Sequence, residues 1–156
     1  LGGPLSHVEK EEDRKKAVSE LIRVAKQEAP IFISVMGRLG TIIDCLLYWP
    51  REIKDSDHFK RFWRDGDDYL FCGQSYAHFF MPKELEELIK SQGEVEIIGQ
   101  VGLEGLAHNS KLSPEIGDED KGLWQNWIEM HDQLCTHQAV YDTSGHMLII
   151  VTKRYI

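Results

Sequence analysis

Cysteine is scarce in this sequence, proline little more common, and apolar runs are short. The 3 cysteines, Cys45, Cys72 and Cys135, lie far apart and form no CxxC pair. So sparse and odd a set is poor material for a disulfide framework, and it suits a reducing cytoplasm, the expected location. No apolar run approaches the roughly 20 residues that span a bilayer as a helix, so no membrane association is expected. No basic-then-apolar targeting segment opens the chain either. Positive charge is in deficit, with 18 Lys and Arg against 26 Asp and Glu and a formal net charge of −8. Binding to nucleic acid or anionic lipid through counterion release needs clustered Lys and Arg, so neither is an expected partner.

The rest of the composition is ordinary. Hydrophobic residues make up 42% and charged residues 28% of the 156 positions, which excludes disordered and fibrous classes. A chain of this size fits a single domain, here 1–156, and buries roughly 68–70% of its unfolded surface. It opens on Leu1 and not on Met, directly into Gly2-Gly3-Pro4, so a longer parent is expected.

Ser6-His7-Val8-Glu9 has the spacing of a capping box, and Glu11, Glu12 and Asp13 suit the positive end of a helix dipole. Ala17, Val18, Leu21, Ile22, Val24 and Ala25 then recur at three- and four-residue intervals, predicting a helix over about 9–27. Ile31–Met36 is apolar at both parities and rich in β-branched residues, as in a strand covered on both faces. An uncharged strand of this kind must not stay a bare edge. A second copy in a homodimer, the segment Leu1–His7, or an upstream portion is expected to cover it.

Residues 38–80 are irregular, with short helices expected over 39–47 and 56–64. They hold ten of the fifteen aromatic residues, read either as core filler or as a lid over a small substrate. Pro82, Leu85, Leu88, Ile89 and Gly93 mark a further helix, and Val95–Val101 a strand. A polar, turn-rich stretch follows over 108–118. Leu123, Trp124, Trp127, Ile128, His131, Leu134 and Cys135 trace one stripe of a helix over about 118–137. A turn at 142–145 leads to a last strand over 146–153. Three strands with covering helices make a layered α/β protein.

Motifs that would carry chemistry unaided are missing. Gly99, Gly102 and Gly105 have the wrong spacing for a dinucleotide loop and no helix follows them, so they read as a strand exit. His131, Cys135 and His137 crowd one helix end without a further ligand at metal spacing, so no metal is expected and His131 reads as a core residue. Ser6 and His7 are neighbours, but a nucleophile and its base are recognised by spatial geometry, and adjacency does not supply it. Catalytic residues are therefore not assigned.

Several short motifs in order carry a resemblance. Leu1-Gly2-Gly3-Pro4-Leu5-Ser6-His7, the helix through Lys26, Ile31–Met36 with Gly37-Arg38-Leu39-Gly40, and His78-Phe79-Phe80-Met81-Pro82 are the first four. Val95–Val101 with its exit and Ser144–Val151 complete the series. Together they make the chain similar to S-adenosylmethionine-dependent methyltransferases of the Rossmann-like class. The resemblance implies the C-terminal half of such an enzyme. Its α/β fold would be partial, a three-stranded mixed sheet of the family's fifth, seventh and sixth strands with covering helices, the first strands absent. It places Gly2, Gly3, Pro4, Leu5, Ser6 and His7 beside the cofactor, S-adenosylmethionine, in the intact parent. By the same analogy His78, Phe79, Phe80 and Trp124 line a pocket for a small-molecule methyl acceptor, under an aromatic-rich segment at about 38–80. The family's glycine-rich loop and ribose-binding acid have no counterpart here, so these residues alone are expected to be inactive and to bind no cofactor. Methyl transfer is an in-line displacement in which alignment supplies much of the acceleration. A noncatalytic interaction module and a small-ligand binding protein are the alternative readings.

Overall fold

Acidic residues at its first turn and an apolar stripe along one side define α1, Glu11–Val24, with Val18 and Ile22 buried. The expected Ser6 cap is not what starts it. Lys10 is the N-cap residue, and Ser6 belongs to a separate 3-10 turn, Pro4–His7. The Ser6 hydroxyl is buried and accepts the backbone N–H of Met36 at 3.0 Å, so a long-range bond has displaced the local one.

The computed structural model describes residues 3–71, 75–93, 95–107 and 121–154. Gly2, Cys72 and the polar stretch 108–118 lie outside them. After α1 come β1 (Ile31–Met36), α2 (Arg38–Leu47), α3 (Pro50–Lys54) and α4 (Ser56–Asp65). Next follow β2 (Asp67–Phe71), β3 (Ser75–His78), α5 (Pro82–Lys90) and β4 (Val95–Gly102). The chain ends in α6 (Lys121–Leu134), α7 (Gln138–Thr143) and β5 (His146–Lys153).

The main sheet has the order β1-β5-β4, and both ladders are antiparallel. The expected mixed sheet is thus corrected to an antiparallel one. The two outer strands run parallel to each other, but β5 lies between them and no parallel ladder joins them. Ile31, Ile33 and Val35 of β1 and Met147, Ile149 and Val151 of β5 turn to one face, where Val18, Ile22, Leu85, Leu88 and Ile89 cover them. Each such side chain, fully buried, contributes about 1.5–3 kcal/mol.

Coverage on both faces, also expected, holds only in part, with Met36 packed against a second core and Phe32 open. The β1 residues alternate between buried and more open, and on the far side Phe32 is 50% and Ile98 53% exposed. Ile98 is the extra residue of a bulge, since Ile97 pairs with Val151 and Gly99 with Ile150.

The outer edge of β1 is closed by the chain itself. Gly3 donates its N–H to the Ser34 carbonyl at 3.1 Å, Met36 N–H reaches Ser6, and Phe80 N–H binds the Met36 carbonyl at 2.9 Å. The terminal segment is one of the coverings the sequence led us to expect. A second copy pairing through Ser34 and Met36 would have to displace these bonds.

Residues 38–80 are more regular than their sequence implies. Three helices occupy 38–65, and β2 pairs with β3 as an antiparallel hairpin that the pattern does not announce. Cys45, Phe62, Ala77 and Phe79 form a second small core beneath it. The stripe on α6 is less buried than its periodicity implies, with Ile128 47% and Leu134 37% exposed. His131 is half-buried, stacked on Trp127 at 5.1 Å, and its Nδ1 finds no hydrogen-bond partner among the described residues. The expected turn at 142–145 is shorter, because α7 runs to Thr143 and only Ser144-Gly145 turn. No helix among the described residues is long and apolar enough to cross a membrane.

Candidate functional site

Gly66 ends α4 in the left-handed conformation (φ 85°), and a Cβ there would fall on the Arg38 guanidinium and the Phe79 carbonyl. Its carbonyl accepts Phe79 N–H at 2.8 Å, which fixes where the hairpin begins. The register then sets Asp67 opposite His78, and Nδ1 of His78 lies 2.8 Å from Oδ1 of Asp67. Tyr76, two residues earlier on the same face of β3, donates its hydroxyl to that oxygen at 2.6 Å.

Four residues past His78 the chain enters α5 at Pro82, with Glu84 in its first turn. Glu84 reaches back, accepting Met81 N–H at 3.2 Å, so the carboxylate caps the helix where Met81 has no capping oxygen of its own. Its other oxygen, Oε1, meets Nε2 of His78 at 2.5 Å. Arg38, first residue of α2 and 5% exposed, donates to Glu84 at 2.8 Å and to the carbonyls of Phe79, Arg64 and Asp65. At the far end, Arg14 of α1 donates to the Tyr76 hydroxyl at 3.2 Å. One relay, Arg14–Tyr76–Asp67–His78–Glu84–Arg38, therefore ties α1, the hairpin, α5 and α2 together.

Burial alone would raise the Glu84 carboxyl, but His78, the Met81 amide and Arg38 outweigh it and hold it below its ordinary 4.5. Burial, and then the Asp67 acceptor, push Tyr76 well above the usual phenol range, so it remains a donor. Burial likewise lifts the Cys45 thiol to about 11, aided by Glu52, Asp44 and Asp68, which leaves it a poor nucleophile. A carboxyl depressed in the folded state adds stability above its unfolded value and loses it as pH falls through the folded one. The thermal midpoint is therefore expected to fall more steeply below pH 4.5 in the wild type than in Glu84→Gln. Calorimetric scans across the acid range measure both slopes, and equal slopes would count against the relay.

In front of the relay lies a cleft of about 330 Å³. Glu11, Arg14 and Lys15 of α1 form one wall, Glu84, Glu87 and Leu88 of α5 the other, and Phe80 the floor. The Arg14 guanidinium sits 5.9 Å from the Phe80 ring centre, and His78 meets that ring edge-on at 4.6 Å.

Of the pocket residues implied by resemblance, the structure brings His78 and Phe80 together. His78 is 3% exposed with both ring nitrogens engaged, so it braces the floor and does not line the cleft. Phe79 turns into the second core, edge-on to Phe62 at 5.0 Å, and Trp124 packs against Trp127 on α6 at 6.3 Å. In the N-terminal set, Leu5 is buried, Ser6 turns onto β1, and His7 donates from Nδ1 to the Tyr76 carbonyl at 3.0 Å. Ser6 and His7 thus engage different strands. Among the described residues no group of three or more His, Cys, Asp or Glu is arranged to hold a metal ion. Asp67 escapes a sequence reading, and Arg14, Arg38 and Tyr76 gain no individual role from one. Glu84, two positions after the helix-opening Pro82, is the one that capping logic could have marked.

Compared with known proteins, the sequence matches no protein-family model and no curated protein.

Proposed function

We propose that the chain is the C-terminal half of an S-adenosylmethionine-dependent methyltransferase of the Rossmann-like class, acting on a small molecule. The observation that carries the reading is the sheet order β1-β5-β4, with the last strand inserted antiparallel between two strands that run the same way. That is the order in which the fifth, seventh and sixth strands of the resembling family would lie. Helix α1 before β1 and helix α5 before β4 also stand where the resemblance asks for them.

The residues present do not make a cofactor site by themselves. The Gly3 N–H is bound to Ser34, the Ser6 hydroxyl to Met36, and Leu5 is 1% exposed. This segment can back a cofactor held elsewhere, but it offers no anion-binding loop and no acid for a ribose. No chemical step is assigned to these residues.

The reading frame upstream of Leu1 is accordingly expected to encode a strand, a glycine-rich loop and a second strand ending in an acid. Protein made from that longer frame is expected to bind S-adenosylmethionine at least about tenfold more tightly than the 156 residues alone, about 1.4 kcal/mol. Titration calorimetry on the two proteins decides it. Equal affinity, or a longer frame without the loop, would overturn the reading.

A further inference from the structure

The cleft between α1 and α5 contains a buried cation that forms no ion pair among the described residues. Arg14 is 6% exposed. Its Nη1 donates to the carbonyls of Val8 at 2.8 Å and Glu9 at 2.9 Å and to the Tyr76 hydroxyl at 3.2 Å. Its Nε and Nη2 make no hydrogen bond, and no carboxylate pairs with it, among the described residues. A buried guanidinium is ordinarily paired, and the ring of Phe80 offsets its charge only in part. The free edge of the fork has the shape that takes a carboxylate.

The other charges in the cleft can be subtracted pair by pair. Lys15 is held by Glu11 at 2.6 Å, and Glu84 is held by His78 and Arg38. What remains is Arg14 at the inner end and, at the rim, Glu87, which Lys83 meets only at 3.7 Å with both side chains in solvent. One charge of each sign is left over, with apolar Phe80 and Leu88 also in the lining. A dianion such as phosphate would meet Glu84 and Glu87 as well as Arg14.

We propose that this cleft binds a small zwitterion, an amino-acid-like molecule whose carboxylate docks on Arg14 and whose ammonium faces Glu87. The volume of about 330 Å³ lies at the lower end of ligand pockets, which suits a molecule of that size. This inference concerns the cleft itself and holds whether or not a methyl group is transferred.

Two-dimensional amide NMR titrations of the whole chain test it, with norvaline, 4-aminobutyrate, butyrate, butylamine and inorganic phosphate as probes. One of the zwitterions is expected to shift the amides of 11–15 and 84–88 saturably, about fivefold more tightly than butyrate, since an exposed carboxylate adds little. Butylamine and phosphate are expected to bind more weakly still. Arg14→Gln is expected to weaken the preferred zwitterion about tenfold. Should that variant not fold, Glu87→Gln decides: it leaves the buried bonds intact and is expected to bring zwitterion and butyrate to the same affinity. Saturation by neither zwitterion, equal binding of zwitterion, butyrate and phosphate, or a preference unchanged in Glu87→Gln would each overturn the proposal.

Discussion

Arg38→Met is expected to destabilise the fold by about 3–5 kcal/mol, the range for removing one partner of a buried pair. Methionine has similar length and no donor. It would leave the carbonyls of Phe79, Arg64 and Asp65 without the guanidinium and strip Glu84 of its ion pair. Solvent at Glu84, whose side chain is 36% exposed, softens the ionic part, so the lost bonds to the carbonyls dominate. Arg38→Lys cannot restore them, because one ammonium cannot reach three carbonyls and a carboxylate spread around a planar fork. Urea unfolding followed by far-ultraviolet circular dichroism should show a lower midpoint with an unchanged slope. A midpoint equal to that of the wild type would mean that the four bonds add nothing net.

For Gly40→Ala two effects oppose each other. In an exposed helix interior, alanine gains about 1 kcal/mol over glycine. Gly40 lies inside α2, however, and its new Cβ would meet the Ser144 carbonyl carbon at 2.6 Å and the Gly145 nitrogen at 2.7 Å. These are backbone atoms of the turn into the central strand, and no rotamer change can move them aside. The same turn is held by Gly37 N–H to the Gly145 carbonyl at 2.7 Å and by the Ser144 hydroxyl to Val140 at 2.9 Å. Overpacking against fixed backbone outweighs propensity, and a net loss of about 3 kcal/mol is expected. Thermal unfolding measures it, and a rise in midpoint would show that α2 can slide away from the turn at little cost.

Local pattern carried a good part of the fold. The β-branched runs in 31–36 and 146–153 became strands within the expected bounds, and Pro82 with Leu85, Leu88 and Ile89 became α5 with those apolar residues buried. Where the reading failed, a contact between distant residues had taken over. Ser6 has the spacing of a cap, but Met36, 30 residues away, offers its hydroxyl a buried partner. The hairpin over 67–78 hides because its strands are short and Tyr69, Leu70 and Phe71 follow one another without alternation. On α6, six residues of the expected stripe share one helical face, yet that face is only partly covered, because periodicity reports which side is apolar and not how much of it is packed.

The candidate site was less legible than the fold. His78 entered through a resemblance and not through its neighbours. Asp67 and Glu84, its two carboxylates, lie 11 and 6 residues away, separations set by a strand register and a helix start. Arg14 carries no signal of its own in the sequence. It becomes a buried cation only because the chain before α1 folds back and presents the carbonyls of Val8 and Glu9 to it.

The open far side of the main sheet bears on how stability varies with temperature. Heat capacity rises on unfolding mainly because apolar surface meets water, and Phe32 and Ile98 already meet it when folded. A sheet wetted on one side gives a smaller heat-capacity increment than one buried on both, and hence a flatter free-energy curve between cold and heat. Any layer settling over that side would steepen the curve as well as raise it. The same surface that costs the domain stability at its optimum thereby broadens the interval over which what stability it has changes slowly.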